Sequence, residues 1–344
     1  DVYFMSINRN KKSLVLDLKR EEGRSVFFDL VKVSDVVLDN FRPGVAERLG
    51  IDYESLKREN PRIIGCSITG FGSKGPYRDM PAYDLVIQAL SGAMSITGEP
   101  GRPPVRSGIA VADEGAGLFA AFALSSALYS RERTGLGQRI DTSLLDAMMS
   151  LLAYDASIYF SSGEVPGPVG SGHRTITPYR AYQVRDGYIV IAALGKFDNV
   201  CAALGLGELV IDPRFDSPVK LRENREELDA ILEETLLTRN ASEWLEALRQ
   251  TDVPCAPVNT LEGAFSDPQV LSRDMVITMD HSLGGKIRQV GNPLRMSATP
   301  GEVRKRFDPP PVMGEHTEDV LFRVLGYSES RVRDLKKQKI VRTA

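Results

Sequence analysis

The sequence predicts an α/β protein, with a parallel sheet in its first half and a smaller α+β domain after it. Segments typical of strands alternate with segments typical of helices as far as about residue 160, and this alternation indicates a parallel sheet covered by helices. A stretch rich in Gly, Pro and Ser follows at 161–172, which is typical of a linker. At 344 residues, the chain also exceeds the usual size of a single core.

The elements of the first half follow from β-branched runs and helical periodicity. Residues 2–4 are interpreted as strand-like, directly after Asp1. Because the chain starts without Met and enters this run at once, some N-terminal sequence is expected to be missing. Further strands are expected at 13–18, 35–38, 63–68 and 139–141, and helices at 21–32, 53–60, 84–94, 114–129 and 143–160.

The second half predicts a hairpin around Arg185-Asp186-Gly187, with strands at 182–184 and 188–192. Helices are expected at 197–204, 222–237, 241–249, 318–325 and 329–337, and short strands at 255–258, 275–279 and 287–290. The predicted division is therefore a large domain at 1–160, a linker at 161–177, a small domain at 178–274, and a second linker with a return to the large domain at 275–344.

The composition argues against several classes of protein. The net charge is −3, whereas a nucleic-acid-binding domain is usually strongly basic. The three cysteines are far apart and form no CxxC pair, which argues for a reducing compartment, such as the cytoplasm. No uninterrupted apolar run reaches the roughly 18 residues of a membrane-spanning helix, and no signal peptide is visible. We therefore expect neither a nucleic-acid partner nor a membrane partner.

Several familiar motifs are incomplete or absent in this sequence. Residues 70–75 (GFGSKG) match the GxGxxG pattern of dinucleotide sites, but Pro76 and Pro81 follow where a helix should begin. This segment is more typical of a glycine loop that borders a ligand cleft. His173, His281 and His316 have no metal-ligand spacing. We therefore expect no metal and no permanently bound cofactor.

Asp113 stands where a loop of small residues leads into a predicted helix, within 104–117 (PVRSGIAVADEGAG). A carboxylate there meets the positive end of the helix dipole and free backbone N–H groups. An N-cap is the commonest role for such an aspartate. The same setting would favour the ionised form that a carboxylate nucleophile requires, and the small neighbours leave room for a substrate. Both interpretations stay open on position alone.

A series of short motifs runs along the chain in a fixed order: 39–44 (DNFRPG), 63–75 (IIGCSITGFGSKG), 83–84 (YD), 108–117 (GIAVADEGAG), 135–147 (GLGQRIDTSLLDA), 253–258 (VPCAPV), 267–270 (DPQV) and 314–317 (GEHT). In this order the chain resembles the family III CoA-transferases, a superfamily that includes formyl-CoA transferase, carnitine CoA-transferase and the α-methylacyl-CoA racemases. The family's opening βα segment and its glycine-run loop have no match here. A glutamine of that opening segment therefore cannot be assigned.

The resemblance implies a Rossmann-like large domain that binds CoA, and an aspartate that carries the acyl group. Asp113 matches that nucleophile, which would form an acyl-aspartyl anhydride and then an aspartyl-CoA thioester. The backbone N–H groups of Gly115 and Ala116 are candidate oxyanion donors. Positions that match CoA contacts are Leu16, Lys19, Asn40, Phe41 and Arg48. On residue type alone, turn packing or a solvated surface would be the better explanation of these positions.

Tyr83 matches a tyrosine that lies near the aspartate in the transferases, although packing at a helix start is the simpler explanation of the residue. The resembling racemases have histidine there, and racemisation needs two bases that flank the α-carbon. Tyrosine, with an ordinary pKa of about 10, is a poor base. Tyr83 therefore favours a transferase over the alternatives, which are an α-methylacyl-CoA epimerase and a non-catalytic CoA-binding protein.

Two arginines bear on the acid that accepts CoA. Arg106 and Arg174, with His173 and Tyr179 near the second, resemble the dicarboxylate branch typified by succinate–hydroxymethylglutarate CoA-transferase. Either arginine could bind a distal carboxylate through two parallel hydrogen bonds. Either could equally be a surface cation. Succinyl-CoA is thus one possible donor.

The resemblance also implies a homodimer whose two subunits interlock like linked rings. Long connections with little secondary structure are unusual inside one compact domain, and the chain has two of them, at 161–172 and 291–311. Wrapping around a partner subunit would explain both connections. The alternative is that they join two lobes of a monomer.

Overall fold

The chain folds into two compact units, described by a computed structural model over residues 1–298 and 307–344. Unit 1 comprises Asp1–Ser91, Gly108–Ala153 and Phe265–Ala344, and unit 2 comprises Gly92–Ser107 and Tyr154–Ala264. Residues 92–107 and 154–160, which were predicted in the large domain, belong to unit 2. Residues 265–274, which were predicted in the small domain, belong to unit 1. Of the predicted second linker, 299–306 lie outside the described residues.

Unit 1 contains the parallel sheet that the sequence predicted. Its strands are β2 (Val36–Asp39), β3 (Ile64–Thr69) and β4 (Arg139–Ser143), hydrogen-bonded in the order β2-β3-β4. Both pairings are parallel, with Val36 beside Ile64 and Gly65 beside Arg139. The predicted α/β fold is confirmed.

The helices of unit 1 begin and end where local chemistry favours it. Glu21 and Glu22 open one helix and Lys32 closes it, which complements the helix dipole. Asp52 caps another through the backbone N–H groups of Glu54 and Ser55. In chain order, the helices that precede β4 are α1 (Val2–Ile7), α2 (Glu21–Lys32), α3 (Val45–Leu49), α4 (Tyr53–Glu59), α5 (Asp84–Leu90) and α6 (Val111–Thr134). After β4 comes α7 (Leu144–Leu151).

Some sequence predictions for these elements were wrong. Residues 2–4 belong to α1 instead of a strand, because Asp1 caps a helix there through Tyr3 N, at 2.9 Å. The predicted helix 84–94 ends at Leu90 and is followed by a short 3-10 helix, Ala93–Ser95. The predicted helix 143–160 is divided at Leu152 into α7 and α8 (Ala153–Ser162).

The C-terminal segment closes unit 1 by pairing with its beginning. Strand β1 (Val15–Leu16) pairs antiparallel with β10 (Val341–Arg342). A small core beneath this pair joins Val26 to Leu321, Val332 and Leu335. The remaining elements of this unit are α14 (Pro268–Ser272), the hairpin β8 (Val276–His281) and β9 (Gly285–Val290), α15 (Thr317–Asp319), a π-helical turn (Val320–Val324) and α16 (Glu329–Lys337).

Unit 2 is an α+β unit around one large apolar core. Its sheet joins β5 (Tyr179–Val184), β6 (Gly187–Ala192) and β7 (Cys255–Pro257) in antiparallel pairs, which confirms the predicted hairpin. Trp244, Leu228, Leu232 and Leu248 are buried in the core. The helices are α8, α9 (Phe197–Leu204), a 3-10 helix (Gly207–Ile211), α10 (Pro218–Glu223), α11 (Arg225–Leu236) and α12 (Ala241–Gln250), and α13 (Leu261–Ser266) contains the return to unit 1. The single helix predicted at 222–237 is thus two helices, separated at Asn224.

Helix α6 is apolar on two faces. Ala112, Ala116, Ala120 and Ala127 are buried, and the helix packs against α5, α7, β3 and β4. The other side exposes large apolar side chains: Leu118, Phe119, Phe122 and Tyr129. By length and composition this helix would be able to cross a membrane, but a helix in the core of a soluble protein can meet the same criterion.

Candidate active site

Asp113 lies inside the first turn of α6. The helix begins at Val111, three residues earlier than the sequence predicted, and Ala110 occupies the N-cap position without a side-chain hydrogen bond. The interpretation of Asp113 as an N-cap was therefore wrong. Its side chain projects instead from the third residue of the helix, and the residue is exposed to solvent.

A buried carboxylate of α5 supplies the cap that α6 lacks. Asp84 Oδ1 accepts a hydrogen bond from Ala112 N, at 2.9 Å, and Asp84 Oδ2 accepts one from Gln88 Nε2, at 2.6 Å. Asp84 is 8% exposed and Gln88 is 1% exposed. Because Ala112 directly precedes Asp113, this hydrogen bond holds the backbone that presents the candidate nucleophile.

The electrostatics at Asp113 differ from the expectation. Partial desolvation raises the pKa of the Asp113 carboxyl, and the negative charges of Asp84 and Glu114 raise it further. The sequence indicated that the helix end would favour ionisation. The structure places two further carboxylates near the same helix end, and their charges act in the opposite direction.

The small residues around Asp113 serve partly in packing. A Cβ atom at Gly115 would lie 3.0 Å from Leu151 Cδ1, so this glycine lets α6 approach α7 closely. Gly115 and Ala116 also lie beyond the first four residues of α6, and their N–H groups fall within the helical hydrogen-bond ladder. They are therefore poor candidates for the predicted oxyanion donors. A Cβ atom at Gly108 would meet no atom within 4 Å, so space remains on that side.

Tyr83 occupies the N-cap position of α5, directly before Asp84. Its side chain is not packed in a core, because the residue is 76% exposed. The two predicted catalytic residues are thus sequence neighbours of Asp84 and Ala112, the two residues joined by the capping hydrogen bond. One hydrogen bond connects the backbone segments that carry Tyr83 and Asp113.

A cavity of about 610 Å³ opens at the sheet of unit 1, and two of the predicted CoA contacts line it, Asn40 and Phe41. Asn40 Nδ2 donates to the carbonyl oxygen of Ile68, and Phe41 N donates to Asp39 Oδ1, at 3.0 Å. These hydrogen bonds fix the turn after β2 at the carboxyl end of the sheet, where α/β proteins commonly bind ligands.

The other three predicted CoA contacts do not line this cavity. Leu16 lies in β1 and packs against the C-terminal core of unit 1. Lys19 and Arg48 are exposed. Arg48 Nη1 lies close to Gly44, since a Cβ atom added there would be 3.2 Å away. Their role in binding CoA stays a prediction.

The two candidate substrate arginines both belong to unit 2 and have different surroundings. Arg174 is mostly buried, and its Nε donates to Asp155 Oδ1 at 2.6 Å and its Nη1 to the carbonyl oxygen of Gly167 at 2.6 Å. Arg106 is exposed, and its Nη1 donates to the carbonyl oxygen of Ser107, at 3.2 Å. Two of the N–H groups of Arg174 are therefore engaged within its own unit.

Sequence reasoning gave Asp84 no role, although it noted the Tyr83-Asp84 pair. The partners Asp84 and Ala112 are 28 positions apart, and no local pattern announces such a contact. An acid at the first position of a predicted helix was the one signal in the sequence. Within 1–298 and 307–344, no group of three His, Cys, Asp or Glu residues is arranged to hold a metal ion.

An exposed carboxylate in the first turn of a helix, one hydrogen bond that links this turn to the segment carrying Tyr83, and a cavity at the end of a parallel sheet are compatible with an α/β enzyme. The family model described as CoA-transferase family III matches residues 1–317. The chain therefore belongs to this family of enzymes, and its substrates are a CoA thioester and a carboxylic acid.

Individual relatives agree with this assignment. A protein of Agrobacterium fabrum named succinate–glutarate CoA-transferase is 38% identical over 93% of this chain and 80% of its own length. The succinyl-CoA:glutarate CoA-transferase of Homo sapiens is 36% identical over 98% of this chain and 77% of its own. The crystal structure of a CaiB/BaiF family protein from Brucella suis is similar with a TM-score of 0.83, at 39% identity, covering 94% of this chain and 84% of that chain.

Proposed function

We propose that the protein transfers CoA from succinyl-CoA to a dicarboxylic acid, with Asp113 as the covalent carrier. The observation that carries this proposal is the exposed Asp113 carboxyl, held on the first turn of α6 by the buried cap from Asp84. The names of two relatives, a succinate–glutarate and a succinyl-CoA:glutarate CoA-transferase, support a dicarboxylic acceptor.

The exchange begins with attack of Asp113 Oδ on the thioester carbonyl carbon of the donor. The C–S bond breaks, CoA leaves as the thiolate, and Asp113 holds the acyl group as a mixed anhydride. The thiolate then attacks Cγ of Asp113, which releases the donor acid as its carboxylate and leaves an aspartyl-CoA thioester. Because Asp113 is already partly desolvated, its ionised form loses less bound water before it attacks the thioester.

The second half of the exchange reverses these steps with the acceptor. The acceptor carboxylate attacks Cγ of the aspartyl thioester, the thiolate leaves, and a new mixed anhydride forms. Attack of the thiolate on the acyl carbon of the acceptor then yields the new acyl-CoA and restores the Asp113 carboxylate. Tyr83, exposed beside Asp84, is the side chain proposed to donate a hydrogen bond to the oxyanion of these intermediates.

The experiment that tests this proposal is an acceptor screen with succinyl-CoA and short mono- and dicarboxylic acids. The wild-type protein should form a new acyl-CoA with at least one dicarboxylic acid, and Asp113→Ala should form none while keeping its circular dichroism spectrum. Hydroxylamine added during turnover should leave a hydroxamate on Asp113, located by peptide mass spectrometry. Full activity of Asp113→Ala would contradict the role of Asp113.

Results of two further assays would replace the proposal. Incorporation of deuterium at the α-carbon of a branched acyl-CoA without any acid would identify an epimerase. Tight binding of CoA without exchange for any acid would identify a CoA-binding protein.

We also propose that the enzyme is an interlocked homodimer. The apolar side chains of α6 that unit 1 leaves exposed support this proposal: Leu118 and Phe122 are each 73% exposed and Tyr129 is 65% exposed. Spaced by four and seven residues, they lie along one face of the helix. An apolar face of this kind is typical of an interface.

Sedimentation of the protein from micromolar to nanomolar concentration tests the assembly. An interlocked dimer stays dimeric on dilution, because its separation requires unfolding. Phe122→Glu should reduce the dimer fraction of newly folded protein, whereas Glu132→Gln, an exposed change on the same helix, should not. A folded monomer of the wild-type chain at low concentration would contradict the interlocked arrangement.

A further inference from the structure

The carboxylate of Asp84 is buried, and its two observed hydrogen-bond partners are neutral. Its Oδ1 atom accepts from Ala112 N, and its Oδ2 atom accepts from the side chain of Gln88. Burial of a carboxylate is costly, because water solvates its charge much better than the protein interior does. A neutral Ser or Asn can cap a helix without this cost. The presence of an acid at position 84 therefore calls for a further reason.

The position of the hydrogen bond supplies that reason. The N-cap residue of α6, Ala110, has no side-chain acceptor, so a free N–H of the first helical turn is satisfied by α5 instead. The residue that donates is the immediate neighbour of Asp113. The residue that accepts is the immediate neighbour of Tyr83. Both helix starts belong to unit 1, and this contact fixes one against the other.

We propose that Asp84 is a positioning residue, which holds the first turn of α6, and with it the Asp113 carboxyl, against the start of α5. This inference rests on the proposed role of Asp113 as nucleophile. Asp84 itself does not react. Its hydrogen bond sets the place of the nucleophile, and its charge sets part of the electrostatic environment of Asp113.

The charge has a separate consequence that can be measured. The negative charge of Asp84 is one of the causes that raise the pKa of Asp113, after desolvation. Removal of this charge without loss of the hydrogen bond should lower the pKa of Asp113, and the acidic limb of the rate profile should move to lower pH. A residue that served only to stabilise the fold would not move this limb.

Two substitutions separate the two effects. Asp84→Asn keeps an oxygen that can accept from Ala112 N but removes the charge, and Asp84→Ala removes both. For Asp84→Asn we expect kcat within about threefold of wild type and an acidic limb lowered by about half a pH unit. For Asp84→Ala we expect kcat to fall by about 10- to 100-fold, with little change in KM for the acyl-CoA, because the nucleophile is displaced.

A matched control is available in the same unit. Asp267 caps α14 by accepting from Gln269 N and Val270 N, at 2.8 and 3.3 Å. Asp267→Ala therefore removes a capping carboxylate far along the chain from Asp113, and it should lower Tm without changing the pH profile. Equal effects of Asp84→Ala and Asp267→Ala on kcat would reduce Asp84 to a structural cap and overturn the proposal.

Two measurements without turnover keep this inference distinct from the proposed function. In Asp84→Ala, backbone amides at 110–116 should exchange hydrogen faster than in wild type and in Asp267→Ala. In Asp84→Asn, the 13C carboxyl resonance of Asp113, assigned with Asp113→Asn, should titrate at lower pH. If the wild-type enzyme transfers CoA to no acid, the proposed function fails, but these two results would still support the positioning role.

The remaining outcomes are also decisive. Unchanged amide exchange in Asp84→Ala together with an unchanged carboxyl titration in Asp84→Asn would overturn the inference, whatever the activity. If Asp84→Ala does not fold, the titration and the acidic limb of Asp84→Asn decide alone. In that case a lowered midpoint supports the inference, and an unmoved midpoint contradicts it.

Discussion

The charge of Asp84 and the carboxyl of Asp113 interact unfavourably where two helices begin in unit 1. Desolvation raises the pKa of Asp113, and the Asp84 and Glu114 charges add to this effect. The native-state pKa therefore exceeds the unfolded value, so that ionisation of Asp113 is less favourable in the folded enzyme than in the unfolded chain. The candidate nucleophile is held at some cost in stability.

Asp113→Asn should make the protein more stable at pH 7 while it abolishes CoA transfer. Above the native pKa the ionised carboxyl lowers the free energy of unfolding, and asparagine removes this penalty. The gain should stay below about 1 kcal/mol because the residue is exposed to solvent. Urea unfolding at several pH values measures it, and the difference from wild type should shrink as the pH falls towards about 4. A stability gain that is larger at low pH than at pH 7 would contradict a raised native pKa of Asp113.

Asp29→Asn should destabilise the protein near neutral pH. Desolvation opposes ionisation of Asp29, but hydrogen bonds from Tyr327 and Lys32 and the charge of Arg331 prevail and lower its pKa. The Tyr327 Oη atom donates to Asp29 Oδ2 at 2.5 Å, which ties α2 to the C-terminal segment. We expect a loss of about 1–3 kcal/mol at pH 7.

The effect of Asp29→Asn on the free energy of unfolding depends on pH with the opposite sign to that of Asp113→Asn. Because the native pKa of Asp29 is lower than the unfolded value, its contribution is fully present above the unfolded value and is lost as the pH falls through the native value. The difference between Asp29→Asn and wild type should therefore narrow below about pH 4. Unfolding followed by circular dichroism checks this, and Tyr327→Phe should reproduce part of the loss at pH 7. A difference that does not depend on pH would contradict the assignment.

Leu236→Ala should destabilise unit 2 far more than Leu237→Ala. Leu236 is fully buried and Leu237 is 46% exposed, so the same truncation removes core contacts only at the first position. We expect a cost of about 2–5 kcal/mol for Leu236→Ala and less than about 1 kcal/mol for its neighbour. Trp244, the single tryptophan of the chain, is buried in this core and donates Nε1 to the carbonyl oxygen of Leu236, so its fluorescence reports the transition. Equal unfolding midpoints for the two variants would contradict the difference in burial between Leu236 and Leu237.

We propose that Arg106 binds the distal carboxylate of the acceptor, because Arg106 is exposed whereas Arg174 is engaged by Asp155. Arg106→Gln should then raise KM for a dicarboxylic acceptor by about tenfold or more, as expected for loss of a charged hydrogen bond. KM for a monocarboxylic acid such as acetate should stay within about twofold, because that acid has no distal carboxylate. Arg174→Gln should instead lower Tm, since it breaks the ion pair with Asp155. Steady-state kinetics with both acids and thermal unfolding of both variants test this. If only Arg174→Gln raised KM for the dicarboxylic acid, Arg174 would be the arginine that binds the distal carboxylate, and Arg106 would not.

The sequence predicted the fold well where local signals and tertiary contacts agree. Helix α2 has the predicted bounds because its charged ends and apolar stripe indicate the same segment. The parallel sheet followed from β-branched runs between helices. By contrast, the start of α6 was placed three residues late, because the acceptor that caps it, Asp84 Oδ1, belongs to a different helix. A contact across 28 positions leaves no periodicity to detect.

The candidate site was predicted in part for the same reason. Position and resemblance together selected Asp113, whose catalytic role stays a prediction, and the turn residues Asn40 and Phe41 line a cavity. The direction of the pKa shift of Asp113 could not be predicted, because it depends on desolvation and on Asp84. The engagement of Arg174 by Asp155 likewise depends on tertiary structure, since Gly- and Pro-rich residues separate the two.

The pairing of β1 with β10 has a consequence for biosynthesis. Val15 and Leu16 are synthesised before unit 2, but their partners, Arg342 and Val341, are synthesised only after it. Unit 2, by contrast, is complete once Ala264 has emerged. At about 5–20 residues per second, several seconds separate these events. During that interval unit 2 is able to fold, while the first strand and the apolar face of α2 still lack their C-terminal partners.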